Sequence, residues 1–374
     1  MRTRAAVLYE AGQEGPFSET KPLKITDLEL APPGPGEVLV RLIAAGLCHS
    51  DLSTISGVRP RPVPMALGHE ASAEVVEIGA GVVDLKPGQT VALVFVPSCG
   101  HCVPCMEGRP ALCEPGALAN GKGTLLGGDI KLRENGSPVH HHSGVSAFAE
   151  YAVVSRRSCV PVGDNIEPVL AAVFGCAVLT GVGAVINTAQ FKAGCSALII
   201  GMGGVGLSAL LGAAAAGAEP IIAVDVHDDK LEVARALGAT HTFNAQDKDA
   251  IAKIRELTKG GVDYAFEFAG SVQAMEFAYG ATRRGGTTVT AGLPHPDSRW
   301  NLQQVSLTAE ERTVKGSYIG SCIPARDVPR YIRLYAAGKL PVDKLIGQRL
   351  SLDEINEGFD RLAAGHGLRD LIVF

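Results

Sequence analysis

Residues 197–206 read Ala197-Leu198-Ile199-Ile200-Gly201-Met202-Gly203-Gly204-Val205-Gly206. Four apolar residues that suit a buried strand run into a glycine turn, and the stretch after it, Val205–Ala216, suits a helix. The glycines let a backbone come close to a pyrophosphate, and the helix N-terminus favours its negative charge. A second strand, Ile221–Asp225, ends on an acid at the distance expected of a carboxylate that bonds a ribose 2′-hydroxyl. Asp225 repels a 2′-phosphate, which favours NAD over NADP. Helices expected at Lys230–Leu237, Ala250–Thr258 and Gln273–Thr282 alternate with strands at Tyr264–Glu267 and Thr287–Ala291. That order predicts an α/β unit, a doubly wound parallel sheet covered by helices on both faces.

Upstream the texture differs. Short β-rich runs such as Glu37–Leu42, Ala73–Ile78 and Thr90–Phe95 are separated by turns at Pro32-Pro33-Gly34 and Lys86-Pro87-Gly88. Such a pattern suits a barrel-like, mostly antiparallel domain. The alternation fades again in the last fifty or so residues. The expected division is therefore 1–178 with 319–374 as one domain and 179–318 as the nucleotide-binding one. Ser196–Ala218 is free of charge and long enough to suggest a membrane span, but its clustered glycines and mixed strand and helix character argue against one.

With 374 residues, 46% hydrophobic and 20% charged, the chain reads as globular, and its formal net charge of -5 gives no support for binding nucleic acid or an anionic membrane. Met1–Glu10 lacks the pattern of a signal peptide, and the expected location is cytoplasmic. Nine cysteines in that context point away from a disulfide framework. Four of them, Cys99, Cys102, Cys105 and Cys113, fall within fifteen residues. Four thiolates close a tetrahedral shell around zinc and leave no open position, which makes a structural site. An iron–sulfur cluster uses the same ligands and is the lesser reading.

Three more candidate ligands are scattered: Cys48 in Cys48-His49-Ser50-Asp51, His69 in Gly68-His69-Glu70, and Cys176 after Gly175. Two cysteines and a histidine form the set that leaves zinc a fourth position for water or substrate. Together with the four-cysteine lobe, the Thr180-Gly181 pair and the glycine turn, these segments resemble the zinc alcohol dehydrogenases of the medium-chain dehydrogenase/reductase family along nearly the whole chain. The resemblance implies a GroES-like catalytic domain joined to a Rossmann domain, two zinc ions per subunit, NAD, and hydride transfer with a primary or aryl alcohol or its aldehyde.

It also implies roles. Cys48, His69 and Cys176 hold the catalytic zinc, with the Glu70 carboxylate near it and Asp51 fixing the tautomer of His69. Ser50 bonds the substrate oxygen and starts the proton on its way; His49 lies at a pyrophosphate-binding or proton-moving position. Gly201, Gly203, Gly204, Val205, Gly206, Asp225, Lys230, Thr180 and Arg369 serve the cofactor. Phe95 walls an apolar pocket, with Arg59 and His142 nearby. Arg59 and the run His140–His142 suggest a substrate with a polar or anionic far end. A glutathione-dependent formaldehyde dehydrogenase is the rival enzyme, although that class carries an acid at the Arg59 position. A catalytically silent relative is the rival of another class, but no zinc ligand is missing. A segment typical of longer family members implies a homodimer, or a tetramer.

Overall fold

The computed structural model describes residues 1–365 and 367–374. They divide into two compact units: Met1–Cys176 with Ile323–Ala336 and Ile346–Phe374, and Ala177–Cys322 with Ala337–Leu345. The sequence reading gave Ala337–Leu345 to the first domain; the structure puts it in the second.

In the second unit, six strands lie parallel: β1 (Ala197–Ile200), β2 (Ile221–Asp225), β3 (His241–Asn244), β4 (Val262–Glu267), β5 (Thr282–Thr290) and β6 (Thr313–Gly316). Their order is β3-β2-β1-β4-β5-β6. Strand order reverses beside β1, the crevice where such sheets bind ligands. β3 and β6 escaped the sequence reading because neither is an apolar run: His241-Thr242-Phe243-Asn244 and Thr313-Val314-Lys315-Gly316 lie at or beyond the half-buried margins of the sheet. β5 begins five residues before the expected Thr287, through Arg283, Arg284 and two glycines, and its partner β4 slips register across Val262 and Tyr264. The charge-free stretch is β1 and the helix Gly204–Ala215, and among the described residues no helix is long and apolar enough to cross a membrane.

The first unit is β-rich. Arg2–Leu8, Leu23–Leu30, Leu132–Glu134, Ser137–His141 and Met65–Ala66 close into a barrel. A second sheet centres on Glu37–Gly46, which pairs with Ala71–Ile78, Tyr151–Ser155 and Arg369–Val373. Leu8, Val40, Leu42, Val75, Phe148 and Phe359 belong to one buried apolar core under these strands. Burial of such side chains contributes roughly 1.5–3 kcal/mol each and fixes register, since a one-residue slip would turn the apolar face outward.

Register carries the site. Gly46 pairs with Leu371 on one side, while Ala45 pairs with Ala71 on the other. Cys48 just after one strand, His69 and Glu70 just before another, and Arg369 at the start of a third therefore meet.

Candidate metal centre and nucleotide cradle

The donor atoms of Cys48, His69 and Cys176 lie within 4.8 Å of one another, and all three residues are buried. Cys176 arrives from a distant segment through Gly175, where a Cβ would stand 2.2 Å from the Leu93 carbonyl oxygen; only glycine allows that approach. The His69 ring is fixed on one side, with Nδ1 at 3.0 Å from Asp51 Oδ1. Its Nε2 is buried and has no partner. An orphaned imidazole nitrogen facing two sulfurs is costly in a core unless a ligand takes it up, and zinc fits that donor set.

Charge is arranged to match. The neighbouring Cys176 sulfur holds the Cys48 thiol well below its ordinary range; burial opposes this, while Arg369 and His69 add to it. Burial alone would raise the Asp51 carboxyl, but the neighbouring His69 and His142 keep it below its usual value. Glu70 is fully buried, and its carboxylate lies 3.3 Å from the Arg369 guanidinium. Arg369 also donates to the Leu47 carbonyl. The sequence reading gave Arg369 to the pyrophosphate; the structure sets its guanidinium among Glu70, Leu47 and the charges of Cys48 and Cys176. Antiparallel pairing across more than 300 residues of sequence leaves no local signal of that neighbourhood.

His49 and Ser50 open the helix His49–Ile55, His49 exposed and Ser50 half-buried. Ser53 donates its hydroxyl to the His49 carbonyl at 2.8 Å. Phe95 is half-buried and meets the His69 ring edge-on, with centroids 5.1 Å apart. Arg59 is half-buried. The histidine run does not act as a positive cluster. His141 is fully buried, accepts from the Lys131 amide, and is pushed down to about 3 by burial and by the charges of His140 and Lys131. Burial also lowers His142, whose ring lies against Asp51.

The four-cysteine lobe is built differently. Cys99, Cys102, Cys105 and Cys113 bring their sulfurs within 4.8 Å of one another, three of the residues partly exposed. Backbone amides aim at them: Cys99 donates to Cys113 Sγ at 3.1 Å, Cys102 to Cys99 Sγ at 3.3 Å and Gly116 to Cys113 Sγ at 3.3 Å. Burial raises the Cys99 thiol, but the amides of His101 and Cys102 bring it down to about 6. Such N–H···S contacts stabilise the thiolate at Cys99, whereas burial raises the Cys105 and Cys113 thiols.

In the second unit the glycine turn makes a cradle. Gly201 has φ +90°, and a Cβ on Gly206 would stand 1.7 Å from the Gly201 carbonyl, so both are required by the backbone itself. Gly203 differs: a Cβ there would meet nothing within 4 Å. No contact within the protein requires glycine at that exposed position, and no side chain caps the N-terminus of Gly204–Ala215. Val205 is half-buried in the first turn of that helix. Asp225 closes β2, buried, with Oδ2 accepting from the Met202 amide at 2.6 Å and Oδ1 from the His227 amide at 3.0 Å. Thr180 and Lys230 are half-buried, on the helices Ala177–Gly183 and Asp228–Ala236. Sequence reasoning missed Glu267, a buried acid that accepts from the Gly270 amide at 2.5 Å and the Thr290 hydroxyl at 2.8 Å and ties the ends of β4 and β5.

One unit with a cradle for dinucleotide phosphates and another with a closed and an open cysteine cluster define a class, the nucleotide-dependent dehydrogenases that hold metal. Comparison with known proteins narrows it. The model of the alcohol dehydrogenase GroES-like domain matches residues 34–164, and that of the zinc-binding dehydrogenase matches residues 204–337. An S-(hydroxymethyl)glutathione dehydrogenase of Paracoccus denitrificans is 37% identical, with 100% of both chains covered. The crystal structure of benzyl alcohol dehydrogenase from Acinetobacter calcoaceticus superposes with a TM-score of 0.93 at 33% identity, covering 100% of this chain and 99% of that one. An alcohol dehydrogenase zinc-binding domain protein from Burkholderia ambifaria gives 0.94 at 33% identity, over 100% and 99% of the two chains. The chain belongs to the zinc-dependent alcohol dehydrogenases of the medium-chain dehydrogenase/reductase family.

Proposed function

We propose that the protein interconverts a primary or aryl alcohol and its aldehyde with NAD, using zinc held by Cys48, His69 and Cys176. The observation that carries this is the buried, partnerless Nε2 of His69, with its other nitrogen anchored on Asp51 and two sulfurs close by. Zinc held there would supply Lewis acidity to the oxygen of the alcohol or aldehyde, and NAD would supply the hydride acceptor or donor.

The chain's own residues do the rest. Asp51 keeps the proton on His69 Nδ1 and the lone pair on Nε2. Ser50 bonds the substrate oxygen and takes its proton outward, with His49 beside it on the same helix turn. Glu70 and Arg369 neutralise one another next to the sulfurs, so the site's net charge is set by its ligands. Gly201, Gly203, Gly204, Val205 and Gly206 receive the pyrophosphate, Asp225 the adenosine ribose, and Thr180 and Lys230 complete the cofactor contacts of this unit. Phe95 gives the substrate slot an apolar wall.

Two further readings follow. Arg59 favours a substrate with an anionic far end; the neutral, buried His141 and His142 add nothing to it, so the preference rests on Arg59 alone. Homodimers form through the free edge of β6, the last strand of its sheet. Among the described residues no cysteine is in a disulfide, as suits a reducing cytoplasm.

NADH absorbance across a panel of alcohols and aldehydes tests the reading, with S-hydroxymethylglutathione and a carboxylated aryl aldehyde included and zinc counted in the same preparation. Turnover that a chelator abolishes, with two zinc ions per subunit, is expected. One zinc ion per subunit, or activity only with the glutathione adduct, overturns it.

A further inference from the structure

Asp51 serves a second imidazole. His142 follows the strand Ser137–His141, whose register sets His141 opposite Ala66, and the His142 amide donates to the Ala66 carbonyl at 3.2 Å. That places its ring beside the segment leading to His69. The residue is 3% exposed, and its ring meets the His69 ring edge-on, centroids 5.5 Å apart and planes at 88°. His142 Nδ1 lies 3.1 Å from Asp51 Oδ1, off the axis of an ideal hydrogen bond, and His69 Nδ1 takes the same oxygen at 3.0 Å. Asp51 Oδ2 has no partner. Both imidazoles therefore converge on one carboxylate oxygen from rings at right angles.

A carboxylate held by one donor can still turn about its Cβ–Cγ bond. A second nitrogen 3.1 Å from the same oxygen, on a ring in a perpendicular plane, removes that freedom once a small turn of the His142 ring aligns its N–H with the carboxylate, and the low polarity of the core strengthens such a contact. We propose that His142 is a positioning residue of the metal centre: its Nδ1–H, shared with His69 on Asp51 Oδ1, locks the carboxylate and through it the His69 ring, so that Nε2 stays aimed at the Cys48 and Cys176 sulfurs. The inference rests on the three-ligand reading of that site. It also moves His142 from the pocket wall to the support of a ligand.

The test uses the full-length zinc-loaded protein, titrated with a chelator while zinc per subunit is counted. His142→Phe keeps a ring of similar size but offers no donor. His142→Asn offers an amide donor close to where Nδ1 stands. Outer partners of metal ligands are worth about 10- to 100-fold in metal affinity, so His142→Phe is expected to weaken one of the two zinc ions by that factor and leave the other untouched. His142→Asn is expected to hold it within about threefold of wild type, on the same principle. Cobalt replacing zinc gives an independent readout: its visible bands shift in His142→Phe and return toward wild type in His142→Asn.

A His142→Phe protein with wild-type zinc retention and cobalt bands overturns the proposal, as does an Asn variant no better than Phe. Should His142→Phe fold poorly, Asp51→Asn with and without His142→Ala decides. The second change adds no further zinc loss if both residues act as one, and separate additive losses overturn the proposal. A wild-type protein with fewer than two zinc ions fails the three-ligand reading itself, which separates the two failures.

Discussion

The two cysteine clusters of the first unit solve one problem in opposite ways. The lobe of Cys99, Cys102, Cys105 and Cys113 is one loop, partly exposed, whose own amides point at its own sulfurs. The site of Cys48, His69 and Cys176 draws on three segments that strand pairing and a glycine contact bring together, and it is wholly buried. A local cluster needs only a short loop to close, whereas an assembled one exists only where the whole sheet is in register. The lobe should therefore govern stability, and the assembled site, kept open by its three-ligand count, should govern chemistry.

Cys176→Ala puts the strongest demand on that contrast. Losing one of three ligands should lower kcat/KM by about 10³-fold or more, which is about 4 kcal/mol of transition-state stabilisation, while the lobe keeps its zinc. Activity and zinc count together read this out, and a variant that loses both ions would erase the distinction. Cys105→Ser is the converse. A structural zinc contributes to folding outright, so we expect a loss of roughly 3 kcal/mol and a fall in Tm of roughly 6–12 °C, with kcat per folded molecule unchanged below the transition.

Asp225→Gly sharpens the picture from the other unit, where the cradle is again local but its acid comes from the next strand. Removing a charged partner of the ribose is worth about 1.5–3 kcal/mol, so kcat/KM for NAD should fall about 10- to 100-fold and the disadvantage of NADP should shrink. Unchanged cofactor preference would remove Asp225 from the ribose.

The smallest expected effect concerns acid. His141, buried near the assembled site, has its pKa pushed down to about 3, below the roughly 6.5 of an unfolded histidine. The unfolded chain then binds the extra proton between those values, so the contribution of His141 is complete above about pH 6.5 and is lost as pH falls toward 3. At pH 5.5 the cost is about 1.4 kcal/mol, and His141→Gln should be spared it. Urea unfolding of both proteins at pH 7.5 and 5.5 checks this; equal losses would place the acid-sensitive group elsewhere.

Legibility followed the same divide. The glycine turn, β1, β2 and the four-cysteine lobe could be read because each is a continuous stretch whose spacing carries its chemistry. β3, β6 and the start of β5 could not, since edge strands need no apolar run and Gly285-Gly286 reads as a turn. Cys48, His69 and Cys176 were legible only through the resemblance to a family; as isolated residues they differ little from ordinary core. The sharing of Asp51 between His69 and His142 had no signal in sequence beyond a run of histidines, and that run suggested positive charge that burial removes.

By itself, the order of residues determined the class of each unit and the identity of the donors: periodicity specifies strand or helix, and thiol, imidazole and glycine each have a chemistry independent of context. Tertiary structure decided which donors meet and in what charge state. Register between Glu37–Gly46, Ala71–Ile78 and Arg369–Val373 places Arg369 next to Glu70, and burial decides that His141 is neutral. Distance and solvation arise from folding, and no local spacing encodes them.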